Sequence, residues 1–436
     1  MKLKFLGAAE EVGRSCIMVE YEGTRIIMDA GVKIGEEDAY PLLDASEIDS
    51  IDGVVISHAH LDHSAYLPHM ISNGYSRPIY STKPTFELVS ILVSDYLKIS
   101  EPKDVSKDAM AKMLRQFKIV EYQKEFRIGS IGVRLLPAGH ILGSAMIELT
   151  CGGEKLLYSG DVNFRNTKLL EAGYTDNLDA GILVMESTYG GNGDTFPSEH
   201  ATINGMMASI KETLSAGGKV IMPTFGVGRA QEMLLLLDDY MKSGLLPKAP
   251  IYMDGMVNKA MGIHRHNVVY CREELKNRIL LNDDDPFKSK NFVKVETAKQ
   301  RRGIISGEEP CIIVTTSGML TGGPVLKYVK ALAKVPEDKI IFVGYQADGT
   351  LGRELVDGAE EIVIDESRVD VKFKVEKYHL SAHADRQQLL QFVSKVKNLK
   401  KIFIIHGEKN KSMELKEAIG KRCAVEVPRL MEEVAI

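Results

Sequence analysis

The stretch VVISHAHLDHSAYLP, residues 54–68, places His58, His60, Asp62 and His63 within six positions. Imidazole and carboxylate at this density are the donors a divalent cation needs, and the spacing serves more than one ion. His58 and His60, two apart on an extended segment, point to the same side. Asp62 and His63 fall at the turn into the helical stretch SAYLPHM and face a second position. Nitrogen and oxygen donors without a thiolate suit Zn²⁺, and Mn²⁺ is accepted by the same shell. Two such ions about 3.5–4 Å apart can share a hydroxide nucleophile and clamp an in-line phosphoryl displacement.

Such donors converge only if several strands deliver them. His58 follows the apolar run VVIS, Asp161 follows LLYSG, His406 follows IFII, Glu186 follows GILVM and Asp29 ends RIIM; His140 lies just beyond VRLLPAG. Strands running the same way put these carboxyl ends on one rim, where ligands collect in α/β sheets. The expected first ion takes His58, His60, His140 and one oxygen of Asp161. The second takes Asp62, His63, His406 and the other Asp161 oxygen. His69, His200, His264, His266 and His379 have no such context and read as structural.

The elements around these residues change rhythm along the chain. Up to about residue 180 the pattern is of short strands (KLKFLGA, CIMVEY, TRIIMDAG, GVVIS, PIYS, GVRLLPA, AMIEL, KLLYSG), with helices expected at 84–98 and 104–116. From about residue 198, helix and strand alternate, which implies a parallel sheet covered by helices on both faces. After about residue 360 the chain returns to strands (EIVIDE, VDVKFKVEKYHLS, KIFIIHG), with helices after Asp385 and Asn410. One domain split in sequence, with a second α/β domain inserted, is the plan this order predicts. At 436 residues two domains are expected in any case.

The totals exclude some classes. A net charge of −5 argues against a wholesale nucleic-acid sponge, though not against a local basic groove. The cysteines, Cys16, Cys151, Cys271, Cys311 and Cys423, are scattered without a CxxC pair. They read as buried thiols in a reducing compartment, and a cytoplasmic location is expected. No apolar run approaches the length that spans a bilayer, so no membrane partner is expected.

SHAHLDH, AGHILGSAM and YSGD resemble, in order, the metal-binding motifs of the metallo-β-lactamase superfamily. MDAG resembles its opening motif, which implies that Asp29 supports the ligands from behind. ESTYG, SAHAD and IIHGE resemble the three further motifs of the β-CASP nucleases, which places Glu186, His383 and His406 in functional positions. The resemblance implies a metallo-β-lactamase αββα sandwich split into 1–188 and 363–436, with a β-CASP parallel α/β domain inserted at 189–362. It covers nearly the whole chain. EVGRSCIMVEYEGTRIIMDAG is more similar to the cleavage and polyadenylation factor endonuclease and its archaeal relatives than to bacterial ribonuclease J. Those relatives often carry N-terminal KH modules. Here the first catalytic-domain strand starts at residue 2, so the expected form is the short, KH-less one.

The implied activity is a zinc-dependent ribonuclease of RNA processing or decay, including mRNA 3′-end processing, with two Zn²⁺ per chain or Mn²⁺ in their place. It acts as an endonuclease, a 5′→3′ exonuclease or both, and leaves a 5′-phosphate and a 3′-hydroxyl. Asp62, Glu186 and His383 are the expected catalytic residues, with His383, oriented by Glu186, as general acid to the 3′-oxygen. DNA-directed members typically carry an apolar residue where His406 stands, so RNA is the expected partner. The alternatives are a DNA-directed β-CASP nuclease or a small-molecule metallo-hydrolase on the same fold, although the latter needs neither the insert nor the Glu186–His383 pair.

The inserted domain offers substrate handles. TFGVGRAQE is a strand–turn–helix junction in which Gly226, Gly228 and Arg229 are candidates for holding a phosphate. TTSGMLTGGP has the same form, with Thr316, Ser317, Gly318, Gly322 and Gly323. The basic run at Lys288, Lys290, Lys294, Lys299, Arg301 and Arg302 reads as a solvated face, with steering of RNA as the competing reading. A homodimer is also expected, since related archaeal proteins pair, with the apolar tail MEEVAI contributing.

Overall fold

The structure is a computed structural model that describes residues 1–35 and 37–436. Contacts divide the chain into two compact units. Met1–Asn166, Leu170–Thr195 and His383–Ile436 form the first; Thr167–Leu169 and Phe196–Ala382 form the second.

The first unit is built on two seven-stranded sheets. One runs in the order Glu433–Ala435, Lys2–Phe5, Ile17–Tyr21, Thr24–Met28, Gly53–Val55, Ile79–Ser81, Phe117–Ile119. The other runs Ala424–Glu426, Lys401–Ile405, Ile182–Glu186, Glu154–Tyr158, Ala145–Cys151, Ile131–Pro137, Glu125–Ile128. Alternate residues explain why the sheets pack face to face: Leu3 and Phe5, Ile17 and Val19, and Ile26 and Met28 share one buried cluster with Ile131, Val133, Leu135, Ile147 and Leu149. Each such side chain contributes about 1.5–3 kcal/mol on burial. The outer face of the second sheet is covered through Leu389, Phe392 and Val393 of the helix Arg386–Lys395 and Leu415 of the helix Lys409–Ile419. The result is the αββα sandwich.

Strand direction is what matters for the site. Glu154–Tyr158, Ile182–Glu186 and Lys401–Ile405 are parallel. Ile131–Pro137 is two antiparallel steps from Glu154–Tyr158 and so runs the same way. In the other sheet Thr24–Met28 is parallel to Gly53–Val55.

The second unit carries a six-stranded parallel sheet, ordered Phe292–Val295, Ile251–Asp254, Ile312–Thr315, Val220–Pro223, Lys339–Phe342, Lys374–Lys377. The last of these strands corrects the expected boundaries. The apolar pattern puts Lys374–Lys377 in the domain resuming at 363, but it pairs in parallel with Lys339–Phe342 of the insert. The first unit therefore resumes at His383, and its earlier part ends at Thr195 rather than at 188.

Two smaller differences have local causes. The helix expected at 104–116 is Ala109–Gln116, because Asp104 and Ser106 bond back to His69 and Ser72. The tail MEEVAI forms the edge strand Glu433–Ala435 against Lys2–Phe5 of its own chain. Among the described residues no helix is long and apolar enough to cross a membrane.

Candidate metal centre

Two sheets deliver the donors from opposite sides of the sandwich. The loop after Gly53–Val55 carries His58 and His60, and the short helix Leu61–Ser64 carries Asp62 and His63. From the other sheet come His140, Asp161, Glu186 and His406, at the carboxyl ends of four strands that run the same way. Asp29 ends its strand with φ 60° and His406 has φ 48°. Left-handed backbone at non-glycine residues costs about 1–3 kcal/mol and persists where surrounding bonds fix it. Here the Asp29 amide donates to Val55 O at 3.0 Å and the His406 amide to Ala8 O at 2.7 Å. The glycine of MDAG answers a close approach: a Cβ on Gly31 would lie 1.7 Å from the Asp62 carbonyl oxygen.

The donor atoms face one another. His58 Nε2 lies 3.2 Å and His140 Nε2 3.1 Å from His60 Nδ1. Asp161 Oδ2 is 3.5 Å from His58 Nε2, 3.7 Å from His140 Nε2 and 3.4 Å from His63 Nε2. His406 places Nε2 3.3 Å from Asp62 Oδ2 and Nδ1 3.3 Å from Asp161 Oδ1. Three groups lie within ligating reach: His58–His60–His140–Asp161, Asp62–His63–His406, and Asp161–Glu186–His406. Asp161 borders the first two of these, with Oδ2 facing His58, His140 and His63 and Oδ1 facing His406.

These residues fit divalent metal. A tetrahedral ion with bonds of about 2.0–2.1 Å needs donors roughly 3.3–3.4 Å apart, close to the spacings here. Asp161 Oδ1 is buried and accepts no hydrogen bond among the described residues; its neighbour His406 Nδ1 is near but not in bonding geometry. Burial, reinforced by neighbouring imidazoles, holds His58 well below the usual histidine range, and burial also lowers His60, so both present lone pairs at neutral pH. At His63 burial is outweighed by Asp161, Asp62 and Asp29, which raise its proton affinity well above normal. The carboxylates thus create a demand for positive charge at that position. Asp161 is held well below the usual carboxylate range, since the imidazoles of His406, His63 and His383 outweigh its burial.

Behind the donors, Asp29 is fully enclosed by hydrogen-bond donors. Its Oδ1 accepts from the Ser57 amide at 2.6 Å, and its Oδ2 accepts from the hydroxyls of Ser57 and Tyr158 and from His63 Nδ1, each at 2.7 Å. Ser57 Oγ also lies 3.0 Å from His58 Nδ1. With protons on both Nδ1 atoms, His58 and His63 turn Nε2 toward the donor sets. Ser57, Tyr158 and Thr188, whose Oγ1 is 3.3 Å from His406 Nδ1, escaped the sequence reading. Their one signal is a hydroxyl at a strand end, which is too common to single out.

His383 Nδ1 lies 3.0 and 3.2 Å from the two oxygens of buried Glu186 and 3.9 Å from Asp161 Oδ2. Burial alone would lower its pKa, but Glu186 and Asp161 raise it to about 9. Glu186 also reaches Asp161 and His406, yet Oε1 already accepts from the Val162 amide at 2.8 Å.

The two glycine-rich turns belong to the second unit and are brought to each other: a Cβ on Gly318 would lie 2.9 Å from the Phe225 nitrogen. In the first turn the Gly228 amide donates to Gln231 Oε1 at 2.8 Å and the Arg229 amide to Val227 O at 3.2 Å, with the Arg229 side chain buried. In the second, Ser317 Oγ accepts from the Thr321 amide at 2.9 Å and Thr316 O from Val325 at 3.0 Å. Arg301, read as part of a solvated face, is instead turned into a bidentate pair with Asp254.

Residues 18–185 match the metallo-beta-lactamase superfamily domain, 230–355 the Beta-Casp domain and 368–427 the Zn-dependent metallo-hydrolase RNA specificity domain. The transcription termination factor FttA of Methanocaldococcus jannaschii is 38% identical over 97% of this chain and 69% of its own length. The chain belongs to the β-CASP family of metallo-β-lactamase-fold hydrolases. An RNase J-like protein of the same organism is 37% identical to this β-CASP chain, over 96% of it and 95% of the relative. The FttA of Pyrococcus abyssi is 37% identical over 97% and 69%. A solved protein of unknown function from Enterococcus faecalis shares the fold, with TM-score 0.58 at 12% identity over 100% and 99% of the two chains. Divalent-metal binding goes with this family, and the His and Asp donors are in place for it.

Proposed function

We propose that this chain is a metal-dependent ribonuclease that hydrolyses RNA phosphodiester bonds, as an endonuclease, a 5′→3′ exonuclease or both. The observation that carries the reading is the Glu186–His383 pair set beside the Asp161 donors, 3.9 Å from Asp161 Oδ2. Two divalent ions at the donor sets, zinc by donor chemistry with manganese also accepted, would supply an acidified water as nucleophile and positive charge for the non-bridging phosphate oxygens.

The chain's own residues do the rest. Asp62 and Asp161 stay anionic, because neighbouring imidazoles outweigh burial at both. Asp29 fixes His63 and, through Ser57, His58. His383, with a pKa raised to about 9, keeps its proton at neutral pH. With Nδ1 held by Glu186, Nε2–H is the proton available to the 3′-oxygen as it leaves phosphorus. The 3′-oxygen departs as the hydroxyl that ends the upstream product, and the phosphate stays on the 5′ end of the downstream product.

RNA as substrate is supported by the RNA specificity match at 368–427 and by the RNase J-like relative. The relatives named transcription termination factors favour RNA at the end of transcription as the setting. We assign RNA phosphate contacts to Thr316, Ser317, Gly318, Gly322 and Gly323, and secondarily to Gly226, Gly228 and Arg229, whose turn uses amides internally. The test incubates purified protein with 5′-labelled and 3′-labelled RNA and with matched DNA, with and without chelator. Chelator-sensitive cleavage of RNA over DNA is expected. DNA cut equally well, or RNA left intact while a small acyl substrate is hydrolysed, contradicts the reading.

A further inference from the structure

His383 opens the chain's return to the first unit, in a stretch without regular secondary structure that precedes the helix Arg386–Lys395. Neither a helix nor a strand sets its imidazole against Asp161. Contacts to the segment just after Asp161 do. The Ala384 amide donates to Val162 O at 2.6 Å, while the Val162 amide donates to Glu186 Oε1. One residue further on, Arg165 Nη2 donates to Asp385 Oδ2 at 2.6 Å. The Asp385 side chain is 1% exposed and the Arg165 side chain 32%. The other Asp385 oxygen caps the helix by accepting from the Gln388 amide at 2.9 Å. A charge-assisted bond to a buried carboxylate is strong and directional. It joins the loop that bears the shared aspartate to the loop that bears the histidine, four residues from Asp161 at one end and two from His383 at the other.

We propose that Arg165 is a positioning residue for cleavage: through Asp385 it holds the His383 loop at the end of the Asp161 strand. The proposal rests on the reading of His383 as proton donor to the leaving 3′-oxygen. A small displacement of a proton donor is costly, so the effect belongs in turnover rather than in substrate affinity or metal loading.

The test compares an RNA carrying the ordinary 3′-oxygen with one carrying a bridging 3′-sulfur at the cleaved bond, whose thiolate leaves without needing a proton. Arg165→Met is expected to lower kcat on the oxygen substrate roughly 10- to 100-fold, with KM and bound metal unchanged. On the sulfur substrate the deficit largely disappears. Arg165→Lys restores most of the rate, and Arg165→Met with His383→Ala is no slower than His383→Ala alone. Asp385→Asn, which keeps an oxygen for the Gln388 cap, shows the same substrate dependence and serves if Arg165→Met fails to fold. Equal deficits on both substrates, a raised KM or additivity with His383→Ala overturns the proposal. If His383→Ala itself is not rescued by sulfur, the proton-donor reading falls. If His383→Ala is rescued and Arg165→Met is not, the positioning role alone falls.

Discussion

Asp254 and Asp161 hold similar places in the two units, at or just past the carboxyl end of a parallel strand, and both are buried. Asp254 accepts from Arg301 Nε and Nη2 at 2.7 and 2.9 Å and from the Tyr328 hydroxyl at 2.8 Å. Its charge is met within its own unit. Asp161 faces five imidazole nitrogens at 3.3–3.9 Å, longer than any of those bonds. Four of these nitrogens, on His58, His63, His140 and His406, belong to the donor sets, whereas at Asp254 every partner carries its own proton. Similar strand ends therefore serve opposite purposes. A carboxylate saturated by fixed N–H and O–H groups stabilises the fold, and one ringed by nitrogens at ligand spacing suits a cation.

Substitutions can break that contrast in order of size. Asp161→Ala removes the oxygen that borders both donor sets; cleavage should fall to background and elemental analysis should show metal lost. His383→Ala should reduce turnover about 10²- to 10⁴-fold while bound metal is kept. Arg301→Met leaves Asp254 buried with one partner, and should cost roughly 3 kcal/mol in denaturant unfolding without changing metal affinity. If metal affinity fell as well, the assignment of Asp254 to stability alone would be wrong. Tyr158→Phe removes one of the four bonds to Asp29 and should weaken metal binding about tenfold in a competition titration, at the lower end of what such supporting groups contribute.

The parts of this molecule that could be read from its sequence are those with local patterns. Alternating apolar residues marked Lys2–Phe5, Ile17–Tyr21 and Thr24–Met28, and a His, Asp or Glu at the end of an apolar run marked the donors. What stayed hidden depends on distant partners. VDVKFKVEKYHLS has the composition of a strand, but nothing local says that Lys374–Lys377 pairs with Lys339–Phe342 in the insert. The Tyr158–Asp29 and Arg165–Asp385 bonds join residues 129 and 220 positions apart, and neither leaves a trace in spacing. Arg301 looked like one of several solvated cations, because its partner Asp254 is 47 positions away.

The paired-ion centre is tested most directly by elemental analysis and RNA cleavage measured on the same purified protein, before and after chelation. The account predicts about two divalent ions per chain, cleavage lost when they are removed, and cleavage restored by zinc or manganese. A chain that binds no metal, cannot be loaded and still cuts RNA would contradict it.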